Sequence, residues 1–169
     1  MVNDVKKRII EKIRHNRIST EEIADIMGKK GLFENAFPVN RGHFAVGNIK
    51  WIYAYNESNW SIHEQARDIK RGDIVLIEAF NCGERATIGE LVTKFMLLHQ
   101  RAEAVISNAK LRDGSGLIKH NYPVWCKGIT PIGCFNVKID EPLDPKICKE
   151  HKEMYDGNIA VCDDSGVVI

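Results

Sequence analysis

Apolar residues at helical spacing open the chain, with charged residues between them. They fall on one side of a helix: Val5, Ile9, Ile10 and Ile13. Ser19, followed three residues later by Glu22, forms a capping box, which predicts a second short helix through Ile26. The glycines after Ile26 should end that helix. We therefore predict a helical N-terminal segment over residues 3–30.

Apolar and polar positions then alternate over residues 44–55, as they do in a half-buried strand. The dipeptide Gly47-Asn48 within this stretch would allow a bend or a hairpin. A helix is expected over about residues 61–70. The stretch IVLIEAF at 74–80, which is apolar except for one glutamate, predicts a buried strand.

The remainder of the pattern is typical of an α/β fold. A loop of small residues, NCGERATIG, leads into an apolar-faced helix that we expect from Gly89 to about Arg101. The strand AVIS follows, and this β-loop-α-β order predicts a sheet with helices packed on it. The further strands predicted in this half are 104–107, 124–126 and 159–162.

Arg112 and Asp113 lie just after strand 104–107. A surface turn would account for them, because Asp-Gly is a common turn dipeptide and a solvated charge pair costs little. A binding site would also account for them, because α/β folds gather functional residues in the loops at strand ends. The pair alone leaves both interpretations open.

The helix start at Gly89 also has two interpretations. Thr87 and Glu90 have capping-box spacing, which explains both residues structurally. The same helix start offers free N–H groups and a positive dipole end, which favour a small anion by roughly 0.3–1 kcal/mol. If the loop of Arg112 lies beside it, the guanidinium could hold a carboxylate there while Asp113 offered an oxygen ligand to a divalent cation.

Composition narrows the class of protein. The chain has 169 residues, which suits one domain, and its net charge of +1 argues against direct nucleic-acid binding. Apolar runs are too short to span a membrane and the N-terminus is charged, so we expect no membrane association and a cytoplasmic location. The five cysteines and six histidines lack disulfide or zinc-site spacings, so a metal should have oxygen ligands.

Three blocks of the sequence resemble one protein family. They are ISTEEIADIMGKKG near the start, GDIVLIEAFNCGERATIGEL with AVISNAKLRD in the middle, and PVWCKGITPIG with YDGNIAVCDDSGVVI toward the end. In this order they resemble the RraA-like family, which includes the regulator of ribonuclease activity A and the 4-hydroxy-4-methyl-2-oxoglutarate aldolases. The Gly-Glu-Leu helix start, the Arg-Asp pair and the Pro-Val-x-x-x-Gly-x-x-Pro segment are its most specific parts.

This resemblance implies an α/β protein with the β/β/α swivelling-domain fold, one compact domain over residues 1–169, assembled as a homotrimer or hexamer. Enzymatic members of the family are divalent-metal-dependent lyases, aldolases or decarboxylases, that act on small 2-oxo acids. The site residues so implied are Arg112 and Glu90 as catalytic residues, Gly89, Leu91, Val92 and Arg112 as substrate-binding residues, and Asp113 as the ligand of Mg²⁺ or Mn²⁺.

The sequence departs from the aldolase pattern near these residues. Glu90 stands where the aldolases have an aspartate, and the stretch from Glu90 to Arg112 is one residue longer than usual. Gly114, Ser115 and Gly116 follow the Arg-Asp pair without a second carboxylate. The leading function is a metal-dependent lyase acting on a 2-oxo acid. The alternatives are a non-catalytic regulator that binds a ribonuclease-type protein, and an enzyme acting on another carboxylate such as a sugar acid.

Overall fold

The apolar runs of the chain form nine strands, with helices between them. This computed structural model describes the backbone of residues 2–169 and the side chains from residue 4 onward. The strands are β1 (Phe37–Pro38), β2 (Ala45–Tyr55), β3 (Ile74–Phe80), β4 (Ala104–Ser107), β5 (Lys110–Leu111), β6 (Val124–Cys126), β7 (Gly128–Ile129), β8 (Ile159–Asp163) and β9 (Gly166–Val168). The helices are α1 (Val2–Asn16), α2 (Thr20–Ile26), α3 (Trp60–Gln65), α4 (Glu90–Lys94), α5 (Gly114–Lys119) and α6 (Pro145–Tyr155), with a 3₁₀ turn at Ala66–Asp68 and a π-helical turn at Phe95–His99.

Seven strands form one sheet in the order β1-β6-β4-β3-β2-β8-β9. Its centre, from β6 to β2, is parallel, and its edges are antiparallel. The N–H of Phe33 donates to the carbonyl of Val167 at 3.0 Å, which brings the segment before β1 onto β9. The sheet is therefore nearly closed and barrel-like, within a single compact α/β domain, and the predicted fold class is confirmed.

Alternate residues of β3 enter two different cores. Val75 and Ile77 pack among the residues of α3, α4 and α5, whereas Ile74 and Leu76 pack on the other face with Trp125. All four β3 side chains are fully buried. Burial on both faces explains why these four successive positions are all apolar.

Strand β2 is continuous, so the hairpin considered at Gly47-Asn48 does not form. Its first residues pair with β8 in antiparallel fashion, and from Ile49 onward it pairs with β3 in parallel. A Cβ on Gly47 would lie 2.6 Å from the carbonyl oxygen of Gly72. The glycine therefore allows close packing against the turn before β3.

The two N-terminal helices form where the pattern predicts them. α1 buries Ile10 and Ile13 against the sheet. At the start of α2 the Ser19 hydroxyl accepts from the N–H of Glu22 at 3.2 Å, and the Glu22 carboxylate accepts from the N–H of Ser19 at 2.8 Å. The predicted capping box is thus confirmed.

Other helices differ from the prediction in extent. The helix expected over 61–70 ends at Gln65 and continues as the 3₁₀ turn, and the sequence pattern gave no prediction for α5 or α6. The helix expected from Gly89 runs to His99, first as α4 and then as the π-helical turn. In that turn the N–H of Gln100 donates to the carbonyl of Phe95, five residues back, at 2.9 Å. Among the described helices, none combines the length and the apolarity required to cross a membrane.

Candidate functional site

Three segments meet at the carboxyl ends of β3 and β4 and enclose a cavity of about 310 Å³. The loop after β3 lies in the middle. Its residue Ala86 donates to the carbonyl of Ile132 at 2.7 Å and accepts from the N–H of Cys134 at 2.8 Å. On its other side, the N–H of Arg112 donates to the carbonyl of Ile88 at 3.0 Å. The cavity is lined by Asn59, His63, Ala86, Ile88, Gly89, Leu91, Val92, Arg112, Asp113, Gly133, Cys134 and Asn136.

Asp113 caps α4 from the neighbouring loop. Its Oδ2 accepts from the N–H of Glu90 at 3.0 Å, and its own backbone is left-handed, with φ 60° and ψ 40°. The capping box predicted between Thr87 and Glu90 is therefore wrong. Thr87 is fully buried, and its hydroxyl has no hydrogen-bond partner among the described residues. Gly89, at the N-cap position, has no side chain that could compete with Asp113.

The Arg112 side chain lies against the start of α4. A Cβ on Gly89 would be 2.9 Å from the Arg112 Cγ and 3.0 Å from its Nε, and a Cβ on Gly133 would be 3.1 Å from its Nη1. Two glycines thus leave the space that the arginine occupies. The Arg112 side chain is 54% exposed and its Nε lies 3.8 Å from the Asp113 Oδ2, so the guanidinium keeps free donors.

The first turn of α4 adds backbone donors to the same cavity. The N–H groups of Leu91 and Val92 find no acceptor among the described residues, as expected for the first turn of a helix. Gly89, Leu91 and Val92 line the cavity together with Arg112 and Asp113, so the structure brings five of the six sequence-predicted site residues together.

Glu90 is the exception. It is not among the lining residues, and its carboxylate pairs with the Lys94 Nζ at 2.7 Å and the His120 Nε2 at 3.2 Å. The hydrogen bond from Lys94 is the main factor that lowers the pKa of the Glu90 carboxyl. The geometry therefore directs this acid to Lys94 and His120 and away from the cavity.

The cavity is also lined by Asn59, His63 and Asn136, which no sequence pattern predicted. The Asn59 Nδ2 donates to the carbonyl of Thr87 at 3.0 Å, while its Oδ1 is buried and has no partner among the described residues. These residues are distant from Arg112 in sequence and belong to no recognisable motif, so no local signal marked them.

The residues present limit which metal the cavity could hold. Asp113 is the one carboxylate among the described residues that line it, and no group of three or more His, Cys, Asp or Glu side chains meets anywhere in the described part of the chain. One carboxylate suits a cation that keeps most of its water ligands, as Mg²⁺ does, and does not suit a cation that needs a full set of protein ligands.

Comparison with known proteins places this geometry in a family. The sequence model of the RraA-like family, described as Aldolase/RraA, matches residues 20–169. The structure of RraAS2 from Streptomyces coelicolor, an unusual member of the RNase ES inhibitor RraA protein family, is similar with a TM-score of 0.71 and 16% identity, over 95% of this chain and 84% of that one.

Two further solved structures share the fold. The RNA-processing inhibitor RraA from Thermus thermophilis has a TM-score of 0.64 and 15% identity, over 88% of this chain and 90% of its own. A protein from Geobacillus kaustophilus HTA426, described as S-adenosylmethionine: 2-dimethylmenaquinone methyltransferase, has a TM-score of 0.67 and 17% identity, over 89% and 92%. Structural similarity at this level of sequence identity establishes the fold. The match of the family's sequence model over residues 20–169 shows that the chain belongs to the RraA-like (Aldolase/RraA) family.

Proposed function

We propose that this chain binds a small 2-oxo acid in the cavity at the start of α4 and acts on it as a divalent-metal-dependent lyase, either an aldolase or a decarboxylase. The observation that carries the proposal is the convergence of the Arg112 side chain, the Asp113 carboxylate and the free amides of Leu91 and Val92 on one cavity. The family includes aldolases as well as ribonuclease inhibitors, so lyase chemistry lies within it.

In this proposal the cationic and backbone donors recognise the carboxylate of the substrate. Arg112 keeps free N–H groups and can bind a carboxylate through two parallel hydrogen bonds. The amides of Leu91 and Val92 would hold the other side of the same group. Breaking the C3–C4 bond of a 2-oxo acid leaves its electron pair as the enolate of the 2-oxo group, and fixed donors at the developing oxyanion would lower the barrier to forming it.

Asp113 would hold the cation in this scheme. Mg²⁺ or Mn²⁺ bound there would supply Lewis-acid stabilisation of the enolate oxygen. One oxygen of Asp113 already accepts the hydrogen bond that caps α4, so the metal would have to use the remaining lone pairs. Glu90 receives no proton-transfer role, because its carboxylate is engaged by Lys94 and His120 outside the cavity.

A metal-supplemented activity screen tests the proposal. Purified protein should release pyruvate from oxaloacetate or from a 4-hydroxy-2-oxo acid when Mg²⁺ or Mn²⁺ is present, and the activity should disappear with a chelator. Oxaloacetate is informative because its decarboxylation needs only the enolate chemistry. Sugar acids belong in the same screen, since Arg112 recognises the carboxylate alone. Folded wild-type protein that turns over none of these compounds would contradict the lyase function.

Two variants assign the roles if activity is found. Arg112→Ala should lower kcat/KM by about 10- to 100-fold, the equivalent of one lost charged hydrogen-bonding group. Asp113→Asn should keep the fold, because its amide oxygen can still cap α4, while weakening the dependence on metal. The matched controls are Arg41→Ala and Asp68→Asn, which change exposed residues outside the cavity lining and should leave activity unchanged.

The same cavity also supports the non-catalytic alternative, a regulator that binds a ribonuclease-type protein. The observation in its favour is that the single cavity carboxylate among the described residues is already used as a helix cap. Under this alternative the screen stays negative, and Arg112→Ala leaves partner binding unchanged unless the partner covers the loop of Arg112.

Assembly as a homotrimer or hexamer is part of the proposal. Large apolar side chains are exposed in one stretch beside the cavity: Ile129, Ile132, Phe135 and Val137. Exposed apolar groups that lie close together commonly mark protein contact surfaces. Light scattering at micromolar concentration should give a multiple of the chain mass, and a single-chain mass would reject the assembly.

A further inference from the structure

Two of the five cysteines belong to neighbouring segments behind the cavity. Cys82 follows β3 and is 2% exposed, whereas Cys134 is partly exposed and lines the cavity. Both side chains pack in the same core cluster, and each thiol is the main influence on the pKa of the other. All five cysteines are free thiols.

Backbone contacts hold the two cysteine segments together. The N–H of Glu57 donates to the carbonyl of Asn81 at 3.0 Å, and the carbonyl of Glu57 accepts from the N–H of Phe135 at 2.7 Å. Glu57 therefore lies between the residue before Cys82 and the residue after Cys134. The Cys134 N–H also donates to the carbonyl of Ala86, so the segment of Cys134 is held by the Glu57 segment and by the loop after β3. The fold therefore brings the two cysteine segments together.

The surroundings favour thiol chemistry at this pair. The Arg85 Nη1 donates to the carbonyl of Gly133 at 3.1 Å and its Nε pairs with the Glu57 carboxylate at 3.0 Å, so a cation and its paired carboxylate both lie near the two cysteines. The hydrogen bond from Cys134 is the main factor that lowers the pKa of Cys82, and the same bond raises the pKa of Cys134. The pair therefore shares protons and can present one thiolate.

We propose that Cys82 and Cys134 are a redox-reactive pair that hydrogen peroxide converts into an intramolecular disulfide. In the first step one sulfur attacks a peroxide oxygen, the O–O bond breaks, and a sulfenic acid and one water form. In the second step the other thiol attacks the sulfenic sulfur, the S–O bond breaks, and a second water leaves. Two thiols lose their hydrogens, and one peroxide becomes two waters.

Oxidation of this pair would restrain the segment that lies beside the Arg112 side chain. Gly133, directly before Cys134, is the residue whose missing Cβ leaves room for the Arg112 guanidinium. A disulfide at Cys134 would tie this segment to the loop after β3. The wall on which Arg112 lies would then be held by a covalent bond as well as by the hydrogen bonds of Ala86.

Peptide mapping tests the pair directly and does not depend on any activity. Reduced wild-type protein is treated with hydrogen peroxide, the remaining thiols are alkylated, and the protein is digested without reduction. We expect a peptide that joins Cys82 to Cys134, a chain mass lower by two hydrogens, and full reversal by dithiothreitol. Oxygen added to single cysteines without that link, or a link only between different chains, would overturn the proposal.

Matched variants complete the test. Cys148→Ser changes a partly buried cysteine on α6, away from the pair, and should leave the link intact. Cys134→Ser should abolish it and should fold, because this side chain is partly exposed. Sulfenic acid should not accumulate at either cysteine of the pair in folded wild-type protein, since the second thiol is already in place to condense with it. A lasting sulfenic acid at the pair in the folded protein, or a link seen only in urea, would show that the folded protein does not use this pair.

Discussion

Helices α2 and α4 begin with the same sequence signature and are capped in different ways. Both have a hydroxyl residue followed three positions later by glutamate. At α2 the local pair forms, with Ser19 and Glu22 satisfying each other's backbone N–H groups. At α4 the carboxylate of Asp113, 23 residues from Glu90, takes the N–H that a local cap would serve.

The difference shows how a long-range contact changes what a local motif does. Because Asp113 supplies the cap, Glu90 is released to Lys94 and His120, and Thr87 is buried with its hydroxyl unpaired. The cap also fixes the loop that carries Arg112 against the helix start. At α2 the cap stabilises a helix, whereas at α4 it also builds the wall of a cavity.

Gly89→Ala should have the largest effect on this arrangement. A Cβ there would overlap the Asp113 Oδ2 and crowd the Arg112 Cγ, so the cap and the arginine cannot both stay in place. We expect a loss of about 2–3 kcal/mol in the free energy of unfolding, measured by urea denaturation. Gly116→Ala is the control, because its Cβ would meet only the flexible end of Glu90 and should cost less than about 1 kcal/mol. Equal losses would contradict the long-range cap.

Asp113→Ala should rank second. It removes the cap and places alanine in a left-handed backbone conformation, and together these changes should cost about 2 kcal/mol. Asp113→Asn should cost much less, because asparagine tolerates this conformation and keeps an acceptor oxygen. At α2, where no strain is involved, Ser19→Ala should cost about 1 kcal/mol by the same measurement. An Asp113→Ala variant as stable as wild type would mean that the cap contributes nothing.

Thr87→Val distinguishes a cap of α4 by Thr87 from the cap by Asp113. If Thr87 capped α4 as its motif suggests, its loss would cost about 1 kcal/mol. In this structure its hydroxyl is buried without a partner among the described residues, so the isosteric valine should be neutral or up to about 1 kcal/mol more stable. Thermal unfolding of the two proteins side by side decides between these outcomes.

Acid titration should give the smallest effect. The Lys94 hydrogen bond lowers the pKa of Glu90, and the Ser165 hydroxyl lowers the pKa of Glu21 in the first turn of α2. A carboxyl whose pKa is lower in the folded state contributes stability that is complete above its ordinary pKa and is lost as pH falls through the lowered value. Glu21 is exposed and Glu90 is partly exposed, so Glu90→Gln and Glu21→Gln should only slightly flatten the acid side of a urea-midpoint profile. Variants whose urea midpoint depends more steeply on pH than that of wild type would contradict the lowered pKa values of these two carboxyls.

Hydrophobic periodicity and turn residues were sufficient to predict those elements whose structure is decided by nearby residues. The apolar run before Asn81 predicted β3, the Ser19 box predicted α2, and the position of Arg112 after β4 predicted which loop would approach Gly89. The parallel order of the central strands follows from the β-loop-α-β pattern. These features depend on neighbours within a few residues or on one simple connection.

Features that depend on distant contacts could not be predicted in this way. No helix was predicted over Gly114–Lys119, yet this segment forms α5 because Leu117 is fully buried in the core. Cys82 and Cys134 have no recognisable spacing and meet only through the backbone ladder of Glu57. Asn59 likewise depends on a distant contact, because it reaches the cavity only through the packing of α3 over the sheet.

The π-helical turn at Phe95–His99 bears on how the gene can change in length. A π-helical turn holds one more residue than an α-helical turn, because its hydrogen bond spans five positions. The bond from Gln100 to Phe95 has that span. One extra codon at this point of a gene would therefore be absorbed within one turn of helix, and β4 would keep its pairing while Arg112 kept its place against Gly89.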